Sequence, residues 1–320
     1  MDKIYLFIFL IISCLVIICT GYIIYNNNTK MDTTNFWNIN NLPDGFGTGY
    51  FATPNGSIPL YPTQYIQNGT FKGYFEVMNG FPQRYQFLVM ALVNYKVVPF
   101  YYNGTINSTH VVELDPKSTD TYAFNITDIP DGLNDVYFLV FLDPFNNSSS
   151  DDYRLTTEHL MTDVRFNVIQ GEANKPNINL SNFTKQSESS NSIGDILVNK
   201  NYFNSTFWLY QNVTKNDTIN YNINTQNDEN KSRTFAVIQL LDYNQIPINN
   251  NNSEYVYYGS LNKSEAGSIN ASLIVPNSSG LHQLAVIIFT HPYENLEISP
   301  GNYDYSAIAE SSIRIGLNVT

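Results

Sequence analysis

The sequence predicts an all-β protein in which two tandem β-sandwich domains follow an N-terminal transmembrane helix. Three observations lead to this fold class: a long apolar segment at the start of the chain, an internal repeat, and short strand-like runs separated by turn residues. The chain has 320 residues, which is long enough for an anchor and two ordinary domains of roughly 100–200 residues each.

The N-terminal segment Ile4–Tyr25 is almost wholly apolar, and a helix of this length crosses a hydrocarbon core of ~30 Å. We expect residues 1–25 to be an uncleaved transmembrane signal anchor, followed by a stalk over residues 26–46. A cleaved signal peptide, cut near Thr20, and a lipoprotein attached through Cys14 are the alternatives. Each of the three places the remainder outside, so we expect a single-pass protein of the cell membrane whose C-terminal bulk is extracellular.

Glycosylation acceptors give an independent indication of export. The pattern Asn-x-Ser/Thr occurs nineteen times, whereas residue frequencies alone predict roughly six or seven occurrences. Because Asn, Ser and Thr also occur together in turns, composition accounts for part of this number, and selection for glycan attachment is the interpretation that we favour for the excess. The glycosylation candidates are Asn55, Asn68, Asn103, Asn107, Asn125, Asn204, Asn212, Asn262 and Asn270.

An internal repeat sets the domain organisation. The segment Phe87–Pro99 resembles Phe235–Pro247, and the segment around Pro144 resembles that around Pro292, both at an offset of 148 residues. A period of this length indicates duplication of a whole domain, not a solenoid of small units.

The repeat defines the expected boundaries. We expect the first β-sandwich domain over residues 47–171 and its repeat over residues 192–320. The segment between them, residues 172–191, is polar, contains a proline and ends rich in serine, which is the composition of a linker.

Apolar patterning predicts strands within each copy. The runs Phe87–Val93 and Val136–Leu142 are continuously apolar, which indicates central strands that are covered on both faces. The segment Phe71–Val77 alternates instead, as a half-exposed strand does. Turn residues such as Asn79-Gly80 separate the strands, and regular short strands with such turns are typical of a sandwich.

The segments Ile129–Val140 and Val275–Val286 each place a glycine before an apolar strand. They resemble the corner before the sixth strand of immunoglobulin-like (Ig-like) surface domains, although the Cys pair and the core Trp of antibody-type domains are lacking. The chain as a whole is similar to archaeal cell-surface proteins with tandem Ig-like β-sandwich domains behind an N-terminal anchor. This resemblance implies two Ig-like domains and a role in the cell envelope, and it implies no activity.

Charge and cysteine usage exclude several function classes. The net charge of −12 disfavours binding to phosphate backbones, so we expect no nucleic-acid partner. Cys14 and Cys19 both lie in the apolar segment, so the exported domains contain neither a disulfide nor a thiol nucleophile.

The search for catalytic chemistry finds no signature of a hydrolase, a phosphate-binding loop or a calcium loop. His282 and His291 fall where the first copy has Asn134 and Asp143, so we interpret both histidines as ordinary strand-end residues. We therefore expect no catalytic residue, no metal site and no cofactor, and we expect that the protein is not an enzyme.

Tyrosines are numerous, and those close to predicted loops are the candidates for a binding face. Exposed aromatic rings stack on sugars or dock a partner, and the four candidates are Tyr101, Tyr102, Tyr257 and Tyr258. The leading hypothesis is a non-enzymatic, glycosylated envelope protein for adhesion, wall attachment or surface assembly, with envelope proteins or wall polymer as partners. The alternative is a carbohydrate- or ligand-binding module of a membrane system.

Overall fold

The computed structural model describes residues 44–54, 56, 58, 60–188, 196–250, 253–299, 302–303 and 309–320. Over these residues the chain is built from β-sheets with one short α-helix, so the predicted all-β class is confirmed. The expected anchor and nearly all of the expected stalk lie outside the described residues. Within the described part, no helix is both long enough and apolar enough to cross a bilayer.

The N-terminal half forms two sheets that face each other. Sheet A has the strand order β1-β3-β9-β6-β7, and sheet B has the order β2-β11-β10-β4-β5, with β8 also paired to β4. Helix α1 (Asp151–Thr156) and a 3-10 turn (Thr157–His159) connect β10 to β11. The strands are β1 (Phe46–Phe51), β2 (Thr63–Ile66), β3 (Phe71–Asn79), β4 (Tyr85–Val93), β5 (Lys96–Val98), β6 (Phe100–Tyr102), β7 (Thr105–Asn107), β8 (Thr109–Leu114), β9 (Ser118–Ile126), β10 (Gly132–Leu142) and β11 (Met161–Gln170).

The C-terminal half forms a second pair of sheets. Sheet C has the order β12-β19-β15-β13, and sheet D has the order β14-β24-β20-β16-β17, with β18 paired to β16 and β23 to β20. A small ribbon, β21-β22, is separate from both. The strands are β12 (Lys185–Glu188), β13 (Ile196–Asn199), β14 (Tyr210–Val213), β15 (Thr218–Gln226), β16 (Arg233–Leu241), β17 (Asn244–Ile246), β18 (Tyr257–Leu261), β19 (Glu265–Ile274), β20 (Gly280–Thr290), β21 (Glu297–Ser299), β22 (Asn302–Tyr303), β23 (Ala309–Ser311) and β24 (Ile315–Val319).

The same hairpin occurs in both halves at the offset of the sequence repeat. Asn94-Tyr95 joins β4 to β5 with φ of 53° and 66°, and Asp242-Tyr243 joins β16 to β17 with φ of 49° and 63°. Positive φ at both central residues matches the right-handed twist of the flanking strands, and Asn and Asp tolerate it well. The repeated turn therefore fixes the register of corresponding strand pairs in the two halves.

A buried asparagine at the end of β3, and another directly after β15, make the same hydrogen bonds to neighbouring backbone carbonyl groups. Asn79 Nδ2 donates to the carbonyl oxygens of Gln83 and Leu114 at 2.9 and 3.1 Å. Asn227, 148 residues later, donates to the carbonyl oxygens of Lys231 and Leu261 at 2.8 and 3.1 Å. Because buried carbonyls need partners, these amides hold the β3–β4 and β15–β16 connections against the neighbouring strand.

Each half has its own core between its two sheets. The core between sheets A and B is aromatic, with Phe75 and Phe138 stacked at 5.8 Å and Phe124 edge-on to Phe138 at 4.8 Å. The core between sheets C and D is mainly aliphatic and includes Trp208 and Tyr221. Since neither half contains a cysteine, these cores stabilise the sheets without disulfides.

A third apolar layer lies between sheet B and sheet D, and we call it the junction. Alternate residues of β4 and β10 point away from the first core and meet the corresponding residues of β16 and β20. The four sheets are therefore stacked in the order A, B, D, C. The prediction that Phe87–Val93 and Val136–Leu142 are covered on both faces is confirmed. The junction includes Met90, Leu92, Tyr95, Tyr137, Leu139, Phe141, Ile238, Leu240, Ile287, Phe289 and Tyr293.

A buried ion pair lies within the junction. Arg165 Nη2 contacts Asp135 Oδ1 at 2.8 Å, and both side chains are almost completely buried. The other carboxylate oxygen of Asp135 accepts from the backbone N–H of Tyr293 at 2.7 Å and from the hydroxyl of Tyr95. One carboxylate thus receives donors from both halves, which fixes the position of β10 relative to the C-terminal half.

A second polar contact joins α1 to the C-terminal half. The guanidinium of Arg314, which is 1% exposed, donates to the carbonyl oxygens of Leu142, Asp143 and Leu160 at 2.7, 3.1 and 2.9 Å. In return, Arg154 donates to the carbonyl oxygen of Arg314 at 3.1 Å. These bonds cross the junction and stabilise one arrangement of the two halves.

Part of the expected linker, residues 172–191, belongs to the second pair of sheets. Lys185–Glu188 forms β12 and pairs antiparallel with β19, and the Phe183 ring packs into the core between sheets C and D. A Cβ on Gly267 would lie 2.5 Å from that ring, so the glycine provides the space for it. All four residues of β12 are exposed, which explains why this edge strand has the composition of a linker.

Replacing Phe183 with alanine tests this assignment. We expect the free energy of unfolding to fall by about 3 kcal/mol, because a large buried aromatic side chain is removed and leaves a cavity. Leu180→Ala is the matched control, since Leu180 is 53% exposed and its truncation costs about 0.5 kcal/mol or less. Urea denaturation followed by circular dichroism measures both, and equal values for the two variants would contradict the assignment.

Replacing Arg165 with methionine tests the buried ion pair. Removing one partner leaves the Asp135 carboxylate uncompensated in the junction, so we expect a loss of about 3–5 kcal/mol. Arg84 pairs with Glu113 at the surface with 61% of its side chain exposed, and Arg84→Met should cost about 1 kcal/mol or less. The free energies of unfolding from guanidinium titrations decide the comparison, and a small effect of Arg165→Met would show that the pair does not stabilise the junction.

Candidate functional site

The structure does not bring the four candidate tyrosines together. Tyr101 is 38% exposed, whereas Tyr102 and Tyr257 are 3% and 6% exposed and belong to the two cores. Tyr258 lies in the junction, where its hydroxyl is 3.2 Å from that of Tyr293. Consecutive residues of a strand point to opposite faces, so each pair of neighbouring tyrosines is divided between two layers, and of the four only Tyr101 is available to a ligand.

Tyr101 lines a groove on the outer face of sheet A. The groove has a volume of about 560 Å³ and is also lined by Gln64, Lys72, Tyr74 and Asn125. Lys72 on β3 pairs with Asn125 on β9, and Asn125 pairs with Tyr101 on β6. The three side chains therefore form one row across neighbouring strands, at the spacing where cross-strand side chains contact each other. We call this feature the sheet A groove.

The polar atoms of the sheet A groove have few partners within the protein. Lys72 is exposed, and the ion pairs of the described residues do not include it. Asn125 Oδ1 is buried without a hydrogen-bond partner. Gln64 is fixed by a 2.8 Å bond from its Nε2 to the carbonyl oxygen of Tyr61. The groove thus offers one cation, two amides and two phenol rings to a ligand.

Lys72 and Gln64 were not predicted as site residues, and Asn125 was predicted only as a glycosylation acceptor. The alternation of Phe71–Val77 already places Lys72 and Tyr74 on the outward face of one strand. Nothing in the sequence shows that β6 and β9 carry Tyr101 and Asn125 to the same face, because that requires the strand order of sheet A.

The glycosylation candidates lie mainly at the surface. Six are exposed, Asn125 and Asn204 are half-buried, and Asn55 lies outside the described residues. None of the eight described candidates belongs to the apolar cluster of the junction. The six exposed asparagines are Asn68, Asn103, Asn107, Asn212, Asn262 and Asn270.

In the C-terminal half, Asp242, His282 and Ser278 contact one another in the sequence carboxylate, imidazole, hydroxyl, as the catalytic triad of a serine hydrolase does. His282 Nδ1 is 2.5 Å from Asp242 Oδ2, and His282 Nε2 is 3.3 Å from Ser278 Oγ. A catalytic histidine needs an unprotonated Nε2 to accept the serine proton. Here the same Nε2 also lies 3.0 Å from the carbonyl oxygen of Ser278, so the imidazole contacts the backbone of the turn as well as the serine hydroxyl, which is the arrangement of a bracing side chain.

The N-terminal half makes the equivalent contacts with amides. Asn134, which corresponds to His282 at the offset of 148, donates to the carbonyl oxygen of Pro130 at 2.8 Å. Its own Oδ1 accepts from Asn94 at 2.7 Å, just as His282 contacts Asp242. The shared pattern connects the turn before β10 or β20 to the repeated hairpin, so its role in both halves is to hold that turn.

The two buried histidines, His291 and His110, also have partners within the protein. His291 is 5% exposed in its side chain and lies between Glu229 at 2.7 Å and Glu294 at 3.2 Å. His110 packs against Phe100 at 4.6 Å, and burial lowers the pKa of its imidazole. Across the described ranges, no group of three or more His, Cys, Asp or Glu side chains is placed to hold a metal ion.

Replacing Ser278 with alanine tests the bracing interpretation of the triad-like contacts. We expect ester hydrolysis by the purified protein to be the same for wild type and Ser278→Ala, because His282 Nε2 is shared between the serine hydroxyl and the Ser278 carbonyl oxygen and is not aimed at the hydroxyl alone. We also expect His282→Asn to change the free energy of unfolding by about 1 kcal/mol or less, since asparagine makes the same contacts in the other half. Turnover of p-nitrophenyl acetate that disappears in Ser278→Ala would contradict this interpretation.

Comparisons with known proteins identify no family. No protein-family model matches the chain, and no curated protein matches it. Among solved structures, the chain is similar to red sea bream transglutaminase at 11% identity and a TM-score of 0.22, over 80% of this chain and 30% of that one. The chain therefore corresponds to less than a third of the length of that transglutaminase.

Two further solved structures are similar to parts of the chain. The CARDB domain of a Pyrococcus furiosus protein, solved in complex with di-metal ions, has 15% identity and a TM-score of 0.24, over 42% of this chain and 100% of that one. An alkylpurine DNA glycosylase from Pseudomonas fluorescens, bound to DNA, has 11% identity and a TM-score of 0.20, over 39% of this chain and 31% of that one. At these TM-scores the similarities establish neither a family nor an activity.

Proposed function

We propose that the chain is a non-enzymatic, glycosylated protein of the cell envelope that serves adhesion, wall attachment or assembly with other surface proteins. Its anchor would be the apolar segment Ile4–Tyr25, and its exported part would be two tandem Ig-like domains. The observation that carries the proposal is the placement of the glycosylation candidates, since six of the eight described ones are exposed and none lies in the junction.

Repeated geometry supports the assignment of two Ig-like copies. In each half a short strand pairs in parallel with the last strand, β2 with β11 and β14 with β24. The remaining pairs within the four large sheets are antiparallel over the described residues. Together with the repeated hairpins and asparagine closures, this pattern fits one ancestral sandwich that was duplicated.

The rigid contact between the two halves supports a structural role at the cell surface. An apolar junction with a buried ion pair and reciprocal arginine contacts resists reorientation, whereas small polar interfaces between domains permit it. A rigid pair of domains holds its outer faces, those of sheets A and C, at a constant separation from each other. That is the property expected of a spacer or an assembly unit in an envelope.

The second candidate function is a carbohydrate- or ligand-binding module of a membrane system. The sheet A groove favours it, because exposed phenol and amide groups in a concave site are typical of small-ligand recognition. The two functions are compatible, since an envelope protein can attach to the wall through such a groove.

Protease treatment of intact cells that produce the full-length protein tests the envelope proposal. We expect external protease to release peptides from residues 47–320, and mass spectrometry to find glycan on exposed acceptors such as Asn68 and Asn262 more often than on half-buried Asn204. The reason is that an attached glycan is bulky and has to lie at the protein surface. Complete protection of the chain in intact cells, together with cleavage after lysis, would contradict the proposal.

Cross-linking of the same cells, followed by capture of the full-length protein, distinguishes the two candidate functions. A single dominant envelope protein in the capture supports surface assembly. Recovery of wall polymer instead supports the binding module.

A further inference from the structure

We propose that the sheet A groove binds an acidic carbohydrate, that is, a polymer whose sugars carry carboxylates. The inference deepens the binding-module function and rests on it. Lys72, Asn125 and Tyr101 lie in one cross-strand row, and Tyr74 and Gln64 line the same groove. Each of these groups contributes a different part of the recognition of such a sugar.

The aromatic residues give the groove a surface on which sugar rings can stack. Tyr101 is held on β6 between β9 and β7, and it is 38% exposed. Tyr74 is half-buried on β3 and pairs with Ala123 on β9, whose small side chain leaves space above the sheet. Phenol rings combine an apolar face with a polar edge, which matches the C–H faces and the hydroxyl rims of a sugar.

The amides supply directional hydrogen bonds. Asn125 lines the groove, and its buried Oδ1 has no partner in the described protein, which costs free energy. A turn of the amide toward the groove would present this acceptor to a ligand. A sugar hydroxyl is a donor of suitable size. Gln64, oriented by its bond to the Tyr61 carbonyl oxygen, leaves its Oε1 as a second acceptor at the edge of the groove.

Lys72 determines the charge class of the ligand. Among the residues that line the groove, Lys72 carries the charge, and the protein as a whole has a net charge of −12. An anionic polymer is repelled by most of such a surface, and Lys72 is the group in the groove that attracts it. Glu76, four residues further along β3, is 7% exposed, and burial raises the pKa of its carboxyl group; it is not among the residues that line the groove.

The corresponding positions of the C-terminal half carry other groups and serve as an internal comparison. Asn79 and Asn227, which make the same hydrogen bonds 148 residues apart, align β3 with β15, so Lys72 corresponds to Asn220. Lys72 pairs with Asn125, whereas Asn220 pairs with Ser272. The strand beside β19 in sheet C is β12, as β6 lies beside β9 in sheet A, and the Lys185 ammonium of β12 already lies 4.2 Å from the ring centre of Tyr202. The row of Lys72, Asn125 and Tyr101 is therefore not repeated in sheet C.

The experiment measures binding of the full-length protein, purified in detergent, to oligogalacturonate and to a neutral oligosaccharide of equal length. We expect the acidic oligomer to bind at least about tenfold more tightly, as a charged hydrogen bond predicts, and this preference to weaken as salt is raised. Lys72→Gln should remove the preference, and Tyr101→Ala should weaken binding of both oligomers. Lys263→Gln, which changes an exposed lysine of the other half, should change nothing.

Each other outcome overturns the inference in a distinguishable way. Equal binding of the two oligomers, or no effect of Lys72→Gln, rejects the acidic class but leaves the binding-module function. Absence of binding to either oligomer rejects both. Binding that occurs only in Asn125→Gln would show that the groove is occupied by a glycan attached to Asn125 itself. Circular dichroism confirms that each variant is folded, which is expected because Lys72 and Tyr101 are exposed.

Discussion

The tertiary structure depends on the apolar layer between sheets B and D. Without it, β4, β10, β16 and β20 would expose continuous rows of Leu, Ile, Met and aromatic side chains to water, at a cost of roughly 25 cal/mol for each Å² of apolar surface. An exposed patch of that kind also promotes association between molecules. Docking the two halves removes both penalties, so the four sheets form one structure although each half has a core of its own.

Polar groups give this apolar layer a single geometry. Apolar packing is nondirectional, whereas the Asp135 carboxylate receives Arg165 from its own half and the Tyr293 N–H from the other. Arg314 adds bonds to three carbonyl oxygens across the junction. Because a buried carboxylate or guanidinium without partners costs several kcal/mol, arrangements that separate these groups are strongly disfavoured.

The junction also decides which surfaces remain for recognition. It covers the outward faces of sheets B and D, and it partly buries Tyr258 there, while Tyr102 and Tyr257 lie in the cores. The outward face of sheet A stays accessible and carries Lys72, Asn125 and Tyr101 in a row. The C-terminal half has Asn220 and Ser272 at the equivalent positions, so the outer surfaces of the two halves differ although their strand pairings correspond. Function is therefore more readily assigned to one half than to the repeated fold.

Local patterns in the sequence determined the all-β class, the offset of 148 residues and the burial of both faces of Phe87–Val93 and Val136–Leu142, because apolar periodicity and turn chemistry act over a few residues. The prediction that Lys185–Glu188 belongs to a linker was wrong, since an exposed edge strand is as polar as a linker. The position of this strand depends on Phe183, which packs into the core between sheets C and D. Only the tertiary structure showed that the second face of the central strands is covered by the other half. It alone also showed that neighbouring tyrosines point to different layers and that Lys72 lies in one row with Asn125 and Tyr101, because strand order brings together residues far apart in the chain.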